Sequence, residues 1–334
     1  MYRQYDSLVS GNTVVQPGSD AAVLRIKDTT TGIGLSVDCN SRYCAQDPYR
    51  GALIAVAESA RNLAVSGARP LAVSDCLNFG NPEKPEVMWQ FQQAIAGMRD
   101  ACQALGLAVV SGNVSFYNET EGRAIPPTPT VAMVGLLTDV GRRMTQWFKR
   151  PGDVIVLVGE SLEELGASEY LAVMHDRVAG RPPQLNLERE KRLHQLCLDA
   201  SAEDLLSSAH DVAEGGLAVA LAEACISGPT ALGAQVHLAG TGRPDAQLFG
   251  ESQSRVLVSL AEAKLARLQT LAEAAELPCS VLGRVGGSVL ELQVDAAEQS
   301  SEMTAASPPA GGIRLPVTRL AHEWRTALAR QLGL

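Results

Sequence analysis

A chain of 334 residues, 46% of them apolar and 19% charged, has the balance of a globular protein with room for two cores. Its net charge of −9, with no block of three or more consecutive basic residues, argues against broad binding to nucleic acid or anionic membrane. No apolar run approaches the roughly 18–20 residues that span a bilayer, and at 4% aromatics any core must be aliphatic.

The opening MYRQYDSLVS lacks the apolar centre of a signal peptide. Seven cysteines, an odd number without a C-x-x-C pair, fit reduced, buried thiols, so a cytoplasmic setting is expected. In that setting the triplets Asn113-Val114-Ser115 and Asn118-Glu119-Thr120 are not glycan acceptors.

Ala21 to Ile26 and Gly32 to Cys39 read as strands around the turn-prone KDTTT. A helix is predicted from near Tyr49, with Ala52, Ile54, Ala55, Ala57, Ala60 and Leu63 on its apolar face and Gly67 as its stop. Leu71 to Val73 reads as a short buried strand running into the polar loop SDCLNFGNPEKPE. A second long helix follows, with Pro85 and Glu86 in its first turn and Gly106 at its end. LAVVSGN repeats the strand-into-polar-loop design, and TPTVAMVGLL is another strand.

Asp153 to Glu160 (DVIVLVGE) opens a second part. There SLEELGASEYLAVMH and LNLEREKRLHQLCLDASAEDLL read as helices, and AHDVAEGG places a Gly-Gly turn before a small-residue helix. SRVLVSLA and SVLELQVD are strands, Ala296 to Gly312 a surface loop, and LPVTRLAHEWRTALARQL a closing helix. There is no short repeat and no regular β–α alternation, so the expected fold class is α+β.

Chemistry concentrates in four groups. SDCLNFGN and SGNVSFYNET combine Gly, which lets backbone N–H groups approach an anion, with Asp75 and Asn113, hard oxygen ligands suited to Mg²⁺. Two Asn/Gly-rich turns are the plain alternative. Asp38 and Asp47, with Arg42 between them, either hold Mg²⁺ or pair with Arg42 and Arg50. His210, Asp211 and Glu214 stand at a helix entrance, where Asp211 could simply be an N-cap. His194 and Cys197 on a charged helix lack the further ligands of a tetrahedral metal set. No G-x-S-x-G, Walker A or G-x-G-x-x-G motif is present, and GRVGGS matches such a loop only loosely.

The stretches NTVVQPGSDAAVLRIK, DPYRGALIAVAESARNLAVSGARPLAVSDCLNFGNPEKPE, SGNVSFYNET, TQWFKRPGD, AHDVAEGGLAVALAE and FGESQSRVLVS together resemble the small-type phosphoribosylformylglycinamidine synthases (PurL), within the aminoimidazole ribonucleotide synthetase-like (PurM-like) superfamily. The resemblance runs over nearly the whole chain but to half of that protein, its C-terminal half. It implies an N-terminal α/β-type ATP- and Mg²⁺-binding domain over 1–145 and a mixed-sheet C-terminal domain over 146–334. The implied activity is that of a ligase of purine biosynthesis, the ATP-dependent amidation of formylglycinamide ribonucleotide, with ammonia from a glutaminase subunit (PurQ), a small subunit (PurS) and an N-terminal PurL half as partners. It further implies ATP contacts at Asp75 and Gly112, a Mg²⁺ ligand at Asn113 and a substrate contact at Ser115. One departure matters: Asn40 stands where the family's first half carries a proton-transferring histidine in E-S-H-N-H-P. GESQSR, Gly250 to Arg255, resembles a substrate-contact motif of that first half and is expected to line a paired, auxiliary site. The resemblance thus implies a half that needs its partner for catalysis. The alternative is a catalytically silent, nucleotide-binding homodimer.

Overall fold

The computed structural model describes residues 7–239, 242–295 and 312–333. The first part comprises β1 (Thr13–Val15), β2 (Ala22–Arg25), β3 (Gly32–Asp38), α1 (Ser41–Gln46), α2 (Pro48–Val65), β4 (Arg69–Asn78), α3 (Pro85–Leu105), β5 (Ala108–Ser115), the hairpin β6 (Glu119–Thr120) and β7 (Arg123–Ala124), and β8 (Thr128–Leu137). Six strands form one sheet in the order β1-β2-β3-β8-β4-β5. All neighbours are antiparallel except β4 and β5, which α3 connects as a parallel pair.

Local chemistry sets the helix ends. The Asp47 side chain accepts from the Arg50 N–H and Pro48 opens α2. Gly106 closes α3 in the left-handed conformation at φ 68°. Helices α2 and α3 cover one sheet face, burying Val73, Leu77, Val131 and Met133. The other face carries Leu35, Val37 and Val134 exposed, with no helix among the described residues over them.

The second part holds β9 (Val154–Val158), α4 (Glu169–His175), α5 (Leu187–Ala202), β10 (Ser208–Asp211), α6 (Gly216–Ile226), β11 (Ala234–Leu238), α7 (Pro244–Phe249), β12 (Val256–Leu260), α8 (Leu265–Ala274), β13 (Cys279–Val285), β14 (Val289–Val294), β15 (Ile313–Pro316) and α9 (Val317–Gln331). Its seven strands run β10-β12-β9-β13-β11-β14-β15, antiparallel apart from β11 and β14. Helices α6 and α9 pack into one core and α5 and α8 into another. Strands β9 and β12 are therefore buried at every residue, which is why they read as unbroken apolar runs.

Helix α2 belongs to both parts. Ala52, Val56 and Ala60 enter the first core, whereas Ala64 and Val65 enter a core of the second sheet. Of its 18 residues, 15 are buried, including Glu58 and Arg61. The Arg61 guanidinium donates to Asp211 of β10, to Glu190 of α5 at 2.6 Å and to Gln253 at 3.0 Å, with Glu58 at 3.7 Å. Burial alone would lower its pKa, but Asp211 and Glu190 raise it well above the usual range, so the charge is retained.

Three expectations need correction, and a fourth falls outside the described residues. SDCLN and SGNVS lie within β4 and β5 rather than in loops after them, because ladder bonds to the neighbouring strand continue through them. SLEELGASEYLAVMH is helical only from Glu169. Strands β1, β10, β11 and β13 were not anticipated, being short or interrupted by polar residues. The surface loop expected over 296–312 lies outside the described residues apart from Gly312.

Removing a single partner from a buried ion cluster strands the rest, so R61M should cost about 3–5 kcal/mol in denaturant unfolding. Burial raises the Glu190 carboxyl, but Arg61 and His194 outweigh it and hold the group down at about 2. Its stabilisation is thus complete above the usual value of 4.5 and is lost as pH falls toward about 2; E190Q should flatten that acid limb.

Candidate functional site

The four residues singled out for nucleotide, metal and substrate contact meet on two strands. Asp75 of β4 lies opposite Gly112 of β5, Cys76 opposite Asn113, and Asn78 opposite Ser115. Because strand side chains alternate, the pairs divide between the two faces. Asp75 and Gly112 point to the helix side. A Cβ on Gly112 would lie 2.5 Å from Asp75 Oδ1, so only glycine leaves room for that carboxylate. Cys102 of α3 confirms the side: burial, with the Asp75 charge adding, pushes its thiol up to about 11. Partial burial raises Asp75 itself, opposed by an N–H bond from Asn113.

Asn113 and Ser115 occupy the uncovered face. Asn113 Nδ2 lies 3.9 Å from Cys76 Sγ, and Ser115 Oγ 3.3 Å from Asn118 Oδ1. Asn118 Nδ2 donates to the Phe79 and Ser115 carbonyls at 3.0 and 2.9 Å, which fixes the turn after β5. Glu119 joins Lys84 at 2.7 Å beside it. On this face the register sets Leu35, Val134 and Ala72 in one row and Val37, Ala132, Ser74 and Ser111 in the next. The rows pass from apolar to polar toward Asn113. Asn113, Asn78 and Ser115 are hard but uncharged donors, so the set fits one ligand to a Mg²⁺ whose charge is met elsewhere.

A second constellation was not assembled by the sequence reading. A cavity of about 370 Å³ opens between the two sheets, lined by Asp20, Asp38, Glu58, His210, Asp211, Glu214 and Glu223 among others. One carboxylate oxygen each from Asp38, Glu58 and Glu214 fall within 4.8 Å of one another. Burial, and then mutual repulsion, raises Asp38 and Glu58 well above the carboxylate range. Asn62 Nδ2 donates to Asp38 and Asn40 Nδ2 to Glu214, both at 3.1 Å. Asp20 holds His210 Nδ1 at 2.8 Å through Oδ1, while Asp20 Oδ2 and Asp211 Oδ2 are buried without a partner. Burial opposes charge on His210, yet Asp20 and Glu223 raise it well above its ordinary value. The donor set, hard and over-supplied with negative charge, fits a divalent cation.

The remaining candidates have structural work. Asp47 caps α2 and sits 3.8 Å from Arg50, whereas Arg42 pairs with Glu169, so the two aspartates do not act together. Asp211 ends β10 and binds Arg61 instead of capping α6, whose cap position is Gly215. His194 bonds Glu190 at 2.8 Å and Cys197 is pushed up to about 12 by burial. Asn40 caps α1. GESQSR does not line the acidic cavity: Glu251 accepts from the Gly215 and Glu169 N–H groups, and Arg255 donates to the Gly250 and Ser252 carbonyls. These buried bonds brace the loops around Tyr43 and β12.

The chain matches the family model for AIR synthase related protein, N-terminal domain, over residues 18–137, and that for the C-terminal domain over 150–295. Curated relatives include phosphoribosylformylglycinamidine synthase subunit PurL of Moorella thermoacetica, 56% identical over 295 residues, covering 88% of this chain and 40% of that protein. The same subunit of Anaeromyxobacter sp. is 49% identical over 350 residues, covering 100% and 43%. The chain therefore spans less than half the length of the relatives it matches. Among solved structures, T. maritima PurL complexed with ATP aligns at TM-score 0.69 and 24% identity over 90% of this chain and 46% of that one. Thiamine-monophosphate kinase from Stenotrophomonas maltophilia aligns at 0.57 and 20% over 87% and 94%. These likenesses show the same fold.

Raised carboxyls destabilise a protein once ionised. The metal-free chain should therefore lose stability as pH rises through the elevated range of Asp38 and Glu58. Mg²⁺ at neutral pH should raise the melting temperature more than NaCl of equal ionic strength. In E58Q the metal-free protein should melt higher than wild type, and the gain with Mg²⁺ should shrink.

Proposed function

The chain belongs to the AIR synthase related family, and on that premise we propose that it is the C-terminal half of a phosphoribosylformylglycinamidine synthase, divided near residue 145 into an ATP-binding and a mixed-sheet domain. The solved PurL structures with ATP and with FGAR support nucleotide and formylglycinamide ribonucleotide as its ligands. The observation that carries the reading is the uncovered sheet face. Asn113 and Ser115 lie there beside the apolar rows of Leu35, Val134 and Val37, so their site is open until another body packs against it.

In the proposed reaction the substrate amide oxygen takes the terminal phosphoryl group of ATP, and ADP leaves. Ammonia then adds to the same carbon, phosphate departs with the oxygen, and the amidine remains. Gly112 leaves the β5 backbone bare for the nucleotide, Asp75 holds that backbone from the helix side by accepting from the Asn113 N–H, and Ser115 offers its hydroxyl to the ribonucleotide. Mg²⁺, when bound by Asn113, or by Asp38, Glu58 and Glu214 in the acidic cavity, supplies neutralisation of phosphate charge. Asn40 cannot move a proton near neutral pH, and it is committed to capping α1 and holding Glu214. Proton transfer thus falls to the N-terminal half, and ammonia to the glutaminase PurQ with the small subunit PurS, in the cytoplasm. A silent nucleotide-binding homodimer is the second reading; the ready-made acidic cavity, complete within one chain, favours it.

Turnover of ammonia, ATP and formylglycinamide ribonucleotide should be absent with this chain alone and appear when a separately produced N-terminal half is added. Turnover by the chain alone would overturn the account of Asn40, and none in either case, with nucleotide still bound, would favour the silent homodimer. In the paired protein, D75A and N113A should each weaken Mg²⁺-nucleotide binding by roughly tenfold, the worth of one charge-assisted contact. Unchanged affinity removes them from the site.

A further inference from the structure

A second cavity, of about 230 Å³, has the opposite character. It lies where the segment joining the two sheets meets the end of α5 and the start of α8, and it shares no lining residue with the acidic cavity. Arg142, Arg143, Lys149, Arg150 and Lys264 line it against a single carboxylate, Asp204. Four of these cations are engaged: Lys264 sits 3.6 Å from Asp204, Arg142 donates to the Ala202 carbonyl with Asp139 at 3.9 Å, Arg143 donates to the Val140 carbonyl at 2.9 Å, and Lys149 donates to the Ser207 carbonyl. Arg143, Lys149 and Arg150 have no carboxylate partner among the described residues. In a chain of net charge −9 such crowding of like charge is costly unless something negative occupies the centre.

We propose that this cavity is a binding site for a small phosphate-class oxyanion, free phosphate or the phosphate of a metabolite. Three arginines and two lysines line one concave space against one carboxylate, an array suited to a small oxyanion carrying more than one negative charge. The volume is below the roughly 300–1,000 Å³ of drug-sized ligand pockets, which restricts the ligand to a small ion or a phosphate headgroup. Lys149 registers the missing charge. Its residue is exposed overall, but its ammonium donates to the Ser207 carbonyl and is held down at about 8 by burial and by Arg143 and Arg150, with Asp153 offsetting part. An oxyanion here bridges the connecting segment to α5 and α8, so its binding stabilises the joint between the two parts.

Calorimetric titration of the full chain at neutral pH and low ionic strength, with inorganic phosphate and with ribose 5-phosphate as probes, tests the proposal. Saturable binding is expected below about 10 mM, roughly tenfold or more weaker in R143Q/R150Q, whose positions are exposed and leave the core intact. K264Q should weaken it in the same direction, while R319Q/R325Q on α9 should not. Tighter binding of the sugar phosphate assigns a metabolite as the ligand; equal or tighter binding of inorganic phosphate assigns the free ion. No saturation by either probe, unchanged affinity in R143Q/R150Q, or an equal loss in R319Q/R325Q overturns the site.

Discussion

The buried guanidinium of Arg61 holds the two sheets in their relation. It projects from a largely aliphatic, mostly buried helix, and it reaches β10, α5 and the loop before β12 at once. A charge with no access to water must be paired, so this one side chain dictates where Asp211, Glu190 and Gln253 come to rest. Neighbouring positions on α2 then follow. Glu58, three residues before Arg61, is carried to the wall of the acidic cavity beside Asp38, and Asn62 bonds Asp38 from the next position. The cavity is thus a consequence of how α2 is anchored. Its excess of carboxylates is tolerated because the cluster around Arg61 fixes the frame.

The same helix explains the asymmetry of the first sheet. With α2 and α3 committed to one face, the other keeps Leu35, Val37 and Val134 in water and leads on to Asn113 and Ser115. The chain also spans less than half of its relatives' length. An open, partly apolar face bearing candidate ligand residues is what one half of a two-body site presents.

Much of the fold could be read in the residues. Gly106 and Pro85 marked helix ends through backbone conformation, and the apolar run DVIVLVGE marked where the second part opens, on β9. The polar ends of β4 and β5 could not: β5 is an exposed edge strand, and both ends carry polar residues on each face, so neither shows an alternation of apolar and polar residues and each resembles a loop. Asp75, Gly112, Asn113 and Ser115 were legible as a group, but their division between two faces needed the register. The acidic cavity escaped because its carboxylates come from β3, α2 and the loop after β10, far apart in the chain. One signal was available: Glu58 and Arg61 inside ALIAVAESARNLAV are charges on a helix with no polar side, and such charges must find partners.

The central claim is that the uncovered face of the first sheet completes its site only against a second body, the N-terminal half. Sedimentation velocity of this chain mixed with that half, produced separately, measures it directly. The account predicts a one-to-one complex with the wild-type chain and its loss in L35D/V134D, a folded variant with charges set into the apolar rows. A failure of the wild-type chain to associate, or an undiminished complex with L35D/V134D, would contradict it.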